Sequence, residues 1–174
     1  GSNLRSLIKF SKKKKSPISI NLIISNSFKS EGLNFGKIYK IKRKVFNFRN
    51  DLSSEKKLIL ELKKNKINLI CLAGFMKILS KNFIKLFNGK ILNIHPSLLP
   101  KYKGLNTHQR VIKNKEKFSG CTVHFVNSKL DSGRIIIQKK IRINKSDTPH
   151  SLAKKILIQE HKLYPKAILK IFSL

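Results

Sequence analysis

Apolar residues follow two rhythms along this chain. Ile18 to Ser25 (ISINLIIS), Asn68 to Ala73 (NLICLA) and Ile91 to Ile94 are short, nearly continuous apolar runs. They read as strands covered on both faces. Gly120 to Val126 (GCTVHFV) alternates, with Cys121, Val123 and Phe125 on one face and Thr122 and His124 on the other. Arg134 to Ile143 reads as another strand, and Ile38 to Val45 as a short one. Between them the spacing becomes helical. Leu4, Leu7 and Ile8 predict a first helix capped by Ser2 or Asn3, with Lys12 to Lys15 as its solvated end. Residues 26–36 read as a polar loop with room for one helical turn. Ser53 or Ser54 caps a helix to about Lys66 with Leu58 and Leu62 inward, and Ser80 caps a short one through Phe87. Asn106 or Thr107 opens a helix to about Lys115. Asp147 or Thr148 caps the last, over 149–171, with a break or kink at Pro165. Alternating strands and helices followed by a hairpin-like pair predict a mixed α/β sheet, with no linker, composition break or internal repeat.

One strand end stands apart. Asn93 and His95 are two residues apart at the C-terminal end of the strand over 90–95, so they share a face. Pro96 removes a backbone donor and stops the strand, and Pro100 closes the loop that follows. In open α/β sheets, ligands sit at such ends. An amide can donate to a carbonyl oxygen as it becomes an oxyanion. An imidazole can act as acid, base or cationic stabiliser near neutral pH. Asp131, in the Gly-flanked turn 127–133, could orient His95 or move protons through water. Each residue also has an ordinary structural reading: strand-end satisfaction for Asn93, a hydrogen-bonded histidine before Pro96, and a turn-forming Asp-Ser-Gly for Asp131. On pattern alone both readings stay open. His124 reads as a packed strand histidine, and His108 and His150 as exposed or capping residues. Gly1-Ser2-Asn3 opening a helix offers free N–H groups to an anion, although the tripeptide alone reads more readily as a cloning remnant.

The chain has 174 residues, enough for one domain with a sizeable core. No apolar run is long enough to span a bilayer. Cys71 and Cys121 lie in apolar runs and read as reduced packing residues, and no zinc-like spacing occurs. The net charge of +31 points at first to nucleic acid. Two features argue against that partner. Of the 39 basic residues, only Arg5, Arg43, Arg49, Arg110, Arg134 and Arg142 are arginine, and the lysines are dispersed along the chain. The excess of Lys, Ile and Asn fits an A/T-biased coding sequence. Asp131 is one of eight acidic residues, which makes it less easily a solubilising charge.

Asn93-Ile94-His95-Pro96-Ser97-Leu98-Leu99-Pro100, with Leu130-Asp131 downstream, resembles the folate-dependent formyltransferases. Leu72-Ala73-Gly74-Phe75-Met76-Lys77-Ile78-Leu79 is similar to that family's loop before the catalytic strand. Lys101 to His108 (KYKGLNTH) is similar to the loop after it. Gln159-Glu160-His161-Lys162-Leu163-Tyr164-Pro165 resembles the C-terminal helix motif of the purine-pathway branch. The resemblance runs from residue 1 to about 172. It implies a Rossmann-like α/β fold: a mostly parallel twisted sheet with an antiparallel C-terminal portion. It also implies formyl transfer from 10-formyltetrahydrofolate, as cosubstrate and without a metal, to the amine of glycinamide ribonucleotide. Asn93, His95 and Asp131 would be catalytic. Gly1, Ser2, Asn3, Met76, Ile94 and Glu160 would bind the ribonucleotide. Lys77, Ile78, Leu79, Val126, Asn127 and Leu130 would bind the folate. Lys77 stands where Arg is common, which keeps the charge but not a bidentate contact. Both substrates are anionic, so the basic surface could steer them.

In the family a central strand precedes the phosphate loop, whereas this chain starts at the loop's end. The expectation is a single domain over 1–174, N-terminally truncated relative to the family, with two strand edges left unpaired and reduced stability. The expected partners are small molecules, with no specific nucleic acid and no membrane, in a cytoplasmic monomer or weak homodimer. Methionyl-tRNA formyltransferase and formyltetrahydrofolate hydrolase share the catalytic motif and remain alternatives, as does a basic nucleic-acid-binding domain. The first usually carries a second domain for tRNA, and the second an extra N-terminal domain.

Overall fold

The computed structural model describes residues 1–46 and 52–172. The chain divides into two compact units, Gly1–Ile91 and Leu92–Leu174. Among the described residues, no helix is long and apolar enough to cross a membrane.

The first unit is built from short elements. Helix α1 (Ser2–Ser11) has Gly1 as its N-cap and no side-chain cap bond, so neither Ser2 nor Asn3 caps it as expected. Strand β1 (Leu22–Ser25) is half as long as the apolar run suggested. Its parallel partner β2 (Lys42–Val45) offers only four residues, and the ladder runs from Leu22↔Lys42 to Ser25↔Val45. The segment read as a polar loop contains a helix, α2 (Glu31–Ile38). Gly32, Asn34 and Gly36 are poor helix formers and obscured it. Burial of Leu33 against Ile8 and Ile23 supplies what propensity does not. Helix α3 (Leu52–Lys64) already includes Ser53 and Ser54, so the expected caps lie inside it, and the residue before it falls outside the described residues. Leu58, Ile59 and Leu62 are its buried face. Strand β3 (Leu69–Leu72) is half-buried throughout rather than covered on both faces. Helix α4 (Lys81–Leu86) starts as expected: Ser80 Oγ accepts from Phe83 N at 3.0 Å.

The second unit is denser. Strand β4 (Lys90–His95) begins at the unit boundary and matches its expected span. It pairs antiparallel with β5 (Phe118–Phe125), which pairs antiparallel with β6 (Ile135–Arg142). The short helix α5 (Thr107–Lys113) precedes β5. The long helix α6 (Pro149–Ile171) packs on β5 and β6. Its start is a capping box. Thr148 Oγ1 accepts from Ser151 N at 3.2 Å, and Ser151 Oγ accepts from Thr148 N at 3.0 Å. Of the break or kink expected at Pro165, the break does not occur, since one helix covers 149–171. Proline removes one intrahelical bond. Leu163, Tyr164, Ala167 and Ile168 on either side are buried and hold the helix to the core. Tyr164 also donates its hydroxyl to the Leu92 carbonyl at 3.1 Å, tying α6 to β4.

Candidate active site

The antiparallel register assembles the polar cluster. Asn93 lies opposite His124, and His95 opposite Thr122, so these side chains project on one side of the β4–β5 pair. Asp131 reaches them from the turn joining β5 to β6. The Phe125 N–H donates to the Arg134 carbonyl at 2.9 Å and closes that turn. Gly133 is required there, because a Cβ would stand 1.7 Å from the Phe125 carbonyl oxygen. Asp131 itself has φ +44°, a left-handed conformation that an aspartate tolerates better than most residues.

Asn93, His95 and Asp131 therefore come together, as their types suggested. His95 Nδ1 is 3.3 Å from Asp131 Oδ2, and Asn93 Nδ2 is 3.5 Å from Asp131 Oδ1. The other His95 nitrogen, Nε2, is 2.8 Å from the Tyr102 carbonyl and must be the donor in that pair. The Gly104 N–H donates to Asp131 Oδ2 at 2.9 Å, from a backbone with φ +77°. His95 and Asp131 are only 6 % and 9 % exposed.

His124 belongs to this cluster too. It is buried, its Nε2 is 3.4 Å from Asn93 Nδ2 and 3.7 Å from Asp131 Oδ1, and its Nδ1 is 2.8 Å from the Phe125 carbonyl. The sequence did hold a signal: Thr122 and His124 are a polar pair on one face of an otherwise apolar strand. Tyr102 and Gly104 contribute only backbone atoms, which no side-chain pattern reveals. His108 is half-buried rather than exposed or capping. Its Nδ1 is buried with no hydrogen-bond partner, and burial, then the charge of His95, lower its pKa.

The electrostatics oppose one another. Burial pushes the His95 pKa below its ordinary value, with His124 and Arg110 acting the same way; the Tyr102 carbonyl and the Asp131 charge counter without prevailing. For Asp131, burial is the largest single influence and raises the pKa. Hydrogen bonds from His124 and the Gly104 N–H, with the charges of His95 and His124, outweigh it and hold the carboxyl low. The cluster thus contains a carboxylate, an imidazole whose charged form burial disfavours and that carboxylate favours, and an amide donor. Around one carbonyl carbon, such a set can stabilise an oxyanion and shuttle a proton.

The other expected site residues fall in both units. Met76, Lys77 and Ile78, which follow β3, are exposed, Met76 at 79 %, while Leu79 is buried. Gly1 is exposed, with Ser2 and Asn3 half-buried at the start of α1. In the second unit Ile94 is buried in the core, Val126 is half-buried, and Asn127 and Leu130 are exposed. Glu160 is buried on α6; after burial itself, its charge helps push the Cys121 thiol up to about 12. Among the described residues, no group of three or more His, Cys, Asp or Glu side chains could hold a metal ion.

A family model described as formyl transferase matches residues 1–168. The chain is 42% identical to phosphoribosylglycinamide formyltransferase of Haemophilus influenzae, over 97% of this chain and 81% of that protein. It is 38% identical to the human trifunctional purine biosynthetic protein adenosine-3, over 99% of this chain and 17% of that protein, so it spans about a sixth of that relative. The crystal structure of phosphoribosylglycinamide formyltransferase from Brucella melitensis superposes with a TM-score of 0.91 at 38% identity, covering 99% of this chain and 90% of that one. The mixed α/β fold is the one expected from the alternation of elements.

Proposed function

Because the chain belongs to the formyl transferase family, we propose that it transfers the formyl group of 10-formyltetrahydrofolate to the amine of glycinamide ribonucleotide, a step of purine biosynthesis. The observation that carries this reading is the convergence of Asn93 and His95 on the Asp131 carboxylate.

The amine nitrogen attacks the formyl carbon and a tetrahedral oxyanion forms. Asn93 Nδ2–H and the Nδ1–H of protonated His95 are the donors for that oxygen. The contact of His95 Nδ1 with Asp131 is longer than that of Nε2 with Tyr102, so Nδ1–H is the proton that can be redirected. Asp131 keeps the imidazolium oriented. Through water it accepts the proton that the amine loses and returns it to the folate nitrogen as the carbon–nitrogen bond to folate breaks. Protons balance, and no redox partner is needed.

The remaining assignments belong to the same reading. The N–H groups of Gly1, Ser2 and Asn3 take the phosphate, Glu160 accepts from the ribose hydroxyls, and Met76 and Ile94 line the ribonucleotide. Lys77, Ile78, Leu79, Val126, Asn127 and Leu130 meet the folate, Lys77 as a point charge. The partners are these small molecules, in a cytoplasmic monomer or weak homodimer.

The test is a formyl-transfer assay with both substrates on this chain and on Asn93→Ala, His95→Ala and Asp131→Ala. Activity in the unaltered chain and a loss of about 10²-fold or more in each variant are expected. Full activity in all three variants would refute the assignment.

A further inference from the structure

The loop between β4 and α5 supplies two backbone atoms to the cluster: the Tyr102 carbonyl for His95 and the Gly104 N–H for Asp131. Its first half is fixed from the sheet. Thr122 Oγ1 donates to the Ser97 carbonyl at 2.7 Å and accepts from Leu99 N at 3.1 Å, and Gln138 Nε2 donates to the Leu99 carbonyl at 2.8 Å. None of these bonds reaches Tyr102. That residue has φ +56°, a left-handed backbone that a tyrosine holds only when its surroundings enforce it.

Ser97 Oγ donates to the preceding carbonyl, Lys101, at 2.6 Å; at Tyr102 itself the anchors are on its side chain. The Tyr102 hydroxyl donates to Glu116 Oε1 at 2.9 Å and accepts from Asn114 Nδ2 at 2.9 Å. The Arg110 guanidinium carbon lies 5.3 Å from the ring centroid, and Arg110 NH1 donates to the next carbonyl, Lys103, at 2.7 Å. Three side chains at and just after α5 thus grip one tyrosine. They touch neither Asn93 nor Asp131.

We propose that Tyr102, anchored by Glu116 and Asn114, is a positioning residue: its side chain fixes the backbone carbonyl that holds the ring of His95. The role in catalysis rests on the formyl-transfer reading; the effect on the His95 ring does not. Without the anchor the left-handed backbone relaxes and the carbonyl leaves Nε2. A protonated ring then loses one of its acceptors, so the titration of His95 moves to lower pH. The charged and titratable groups facing His95 are Asp131 from the β5–β6 turn, His124 from β5, and Arg110 and His108 from α5. None of the four is substituted in the variants below.

The experiment pairs steady-state kinetics with imidazole nitrogen NMR of His95 across pH, on the full chain and on Tyr102→Phe, Glu116→Ala and Glu116→Gln. Tyr102→Phe keeps the ring over Arg110 but loses the hydroxyl. It should lower kcat about tenfold with KM little changed and move the His95 titration down. Glu116→Ala should do the same to a smaller extent. Glu116→Gln retains an oxygen that accepts from the hydroxyl and should restore both readouts. A His95 titration at the same pH in all four proteins overturns the proposal, even if kcat falls, since the role would then be merely structural. If the unaltered chain transfers no formyl group, the functional reading fails, while the NMR titration still decides this one.

Discussion

The two units differ in what they bury. Among the described residues, every buried polar or charged side chain lies in the second unit: His95, Ser97, Thr107, Ser119, Thr122, His124, Asp131 and Glu160. In the first unit Lys42 and Lys44, open to solvent, pair with a half-buried Glu61. Burying a polar group costs free energy unless partners satisfy it. The second unit meets that cost with a dense frame in which Leu92, Val123, Leu152, Ile156, Tyr164, Ala167 and Ile168 are almost wholly excluded from solvent. A tightly packed frame can hold an amide, an imidazole and a carboxylate close to one another. The difference teaches where polar groups can be held in place: the second unit buries its polar cluster, whereas Met76, Lys77 and Ile78 of the first are exposed.

The sharpest way to break this contrast is through the cluster itself. Asp131→Asn should lower kcat by about 10²–10⁴-fold, because it removes the proton acceptor and the orienting charge together. Steady-state kinetics reads it. Next in size, Ile156→Ala should destabilise the second unit by about 2–5 kcal/mol, measured by denaturant unfolding. Ile23→Ala, against a core of fewer buried partners, should cost less. Hydrogen exchange should separate the units in the same order, with the four-residue β1–β2 pair opening before β4, β5 and β6.

Acid should act on the two units over different ranges. His95 has a folded pKa below its ordinary value, so the unfolded chain binds the proton more readily. Its contribution to stability is complete above that ordinary value and is lost as pH falls through the lowered one. His95→Gln should flatten this part of a Tm–pH curve. Glu61 in the first unit is held at about 2, chiefly by Lys44 and then Asn65, with burial opposing. Its contribution is present above the ordinary carboxylate pKa and fades as pH falls toward 2. Glu61→Gln should remove that dependence, and the pairing, whose lysines are open to solvent, should weaken with salt.

Legibility in the sequence did not follow that divide. Strand β4 was readable to the residue, since an apolar run bounded by Gly89 and Pro96 leaves little freedom. The caps at Ser80 and Thr148 were readable because a hydroxyl before a helix has a specific job. Helix α2 was not, because Gly32, Asn34 and Gly36 are overridden by the packing of Leu33. Nor was the continuity of α6 through Pro165, where burial of its neighbours outweighs one lost bond. In the site, residue types pointed to Asn93, His95 and Asp131. His124 was legible as a packed strand histidine but its place in the cluster emerged from strand register, and the Tyr102 and Gly104 contacts emerged from backbone geometry.

The central claim is the proposed assignment of chemistry to the buried Asp131 and of folate binding to the exposed Lys77, and one comparison tests it most directly: kcat and KM for formyl transfer, measured side by side in Asp131→Asn and Lys77→Ala. The account predicts that Asp131→Asn loses kcat with KM nearly unchanged, and that Lys77→Ala raises the KM for the folate with kcat nearly intact. An Asp131→Asn protein with undiminished kcat, or a Lys77→Ala protein whose loss lies in kcat alone, would contradict it.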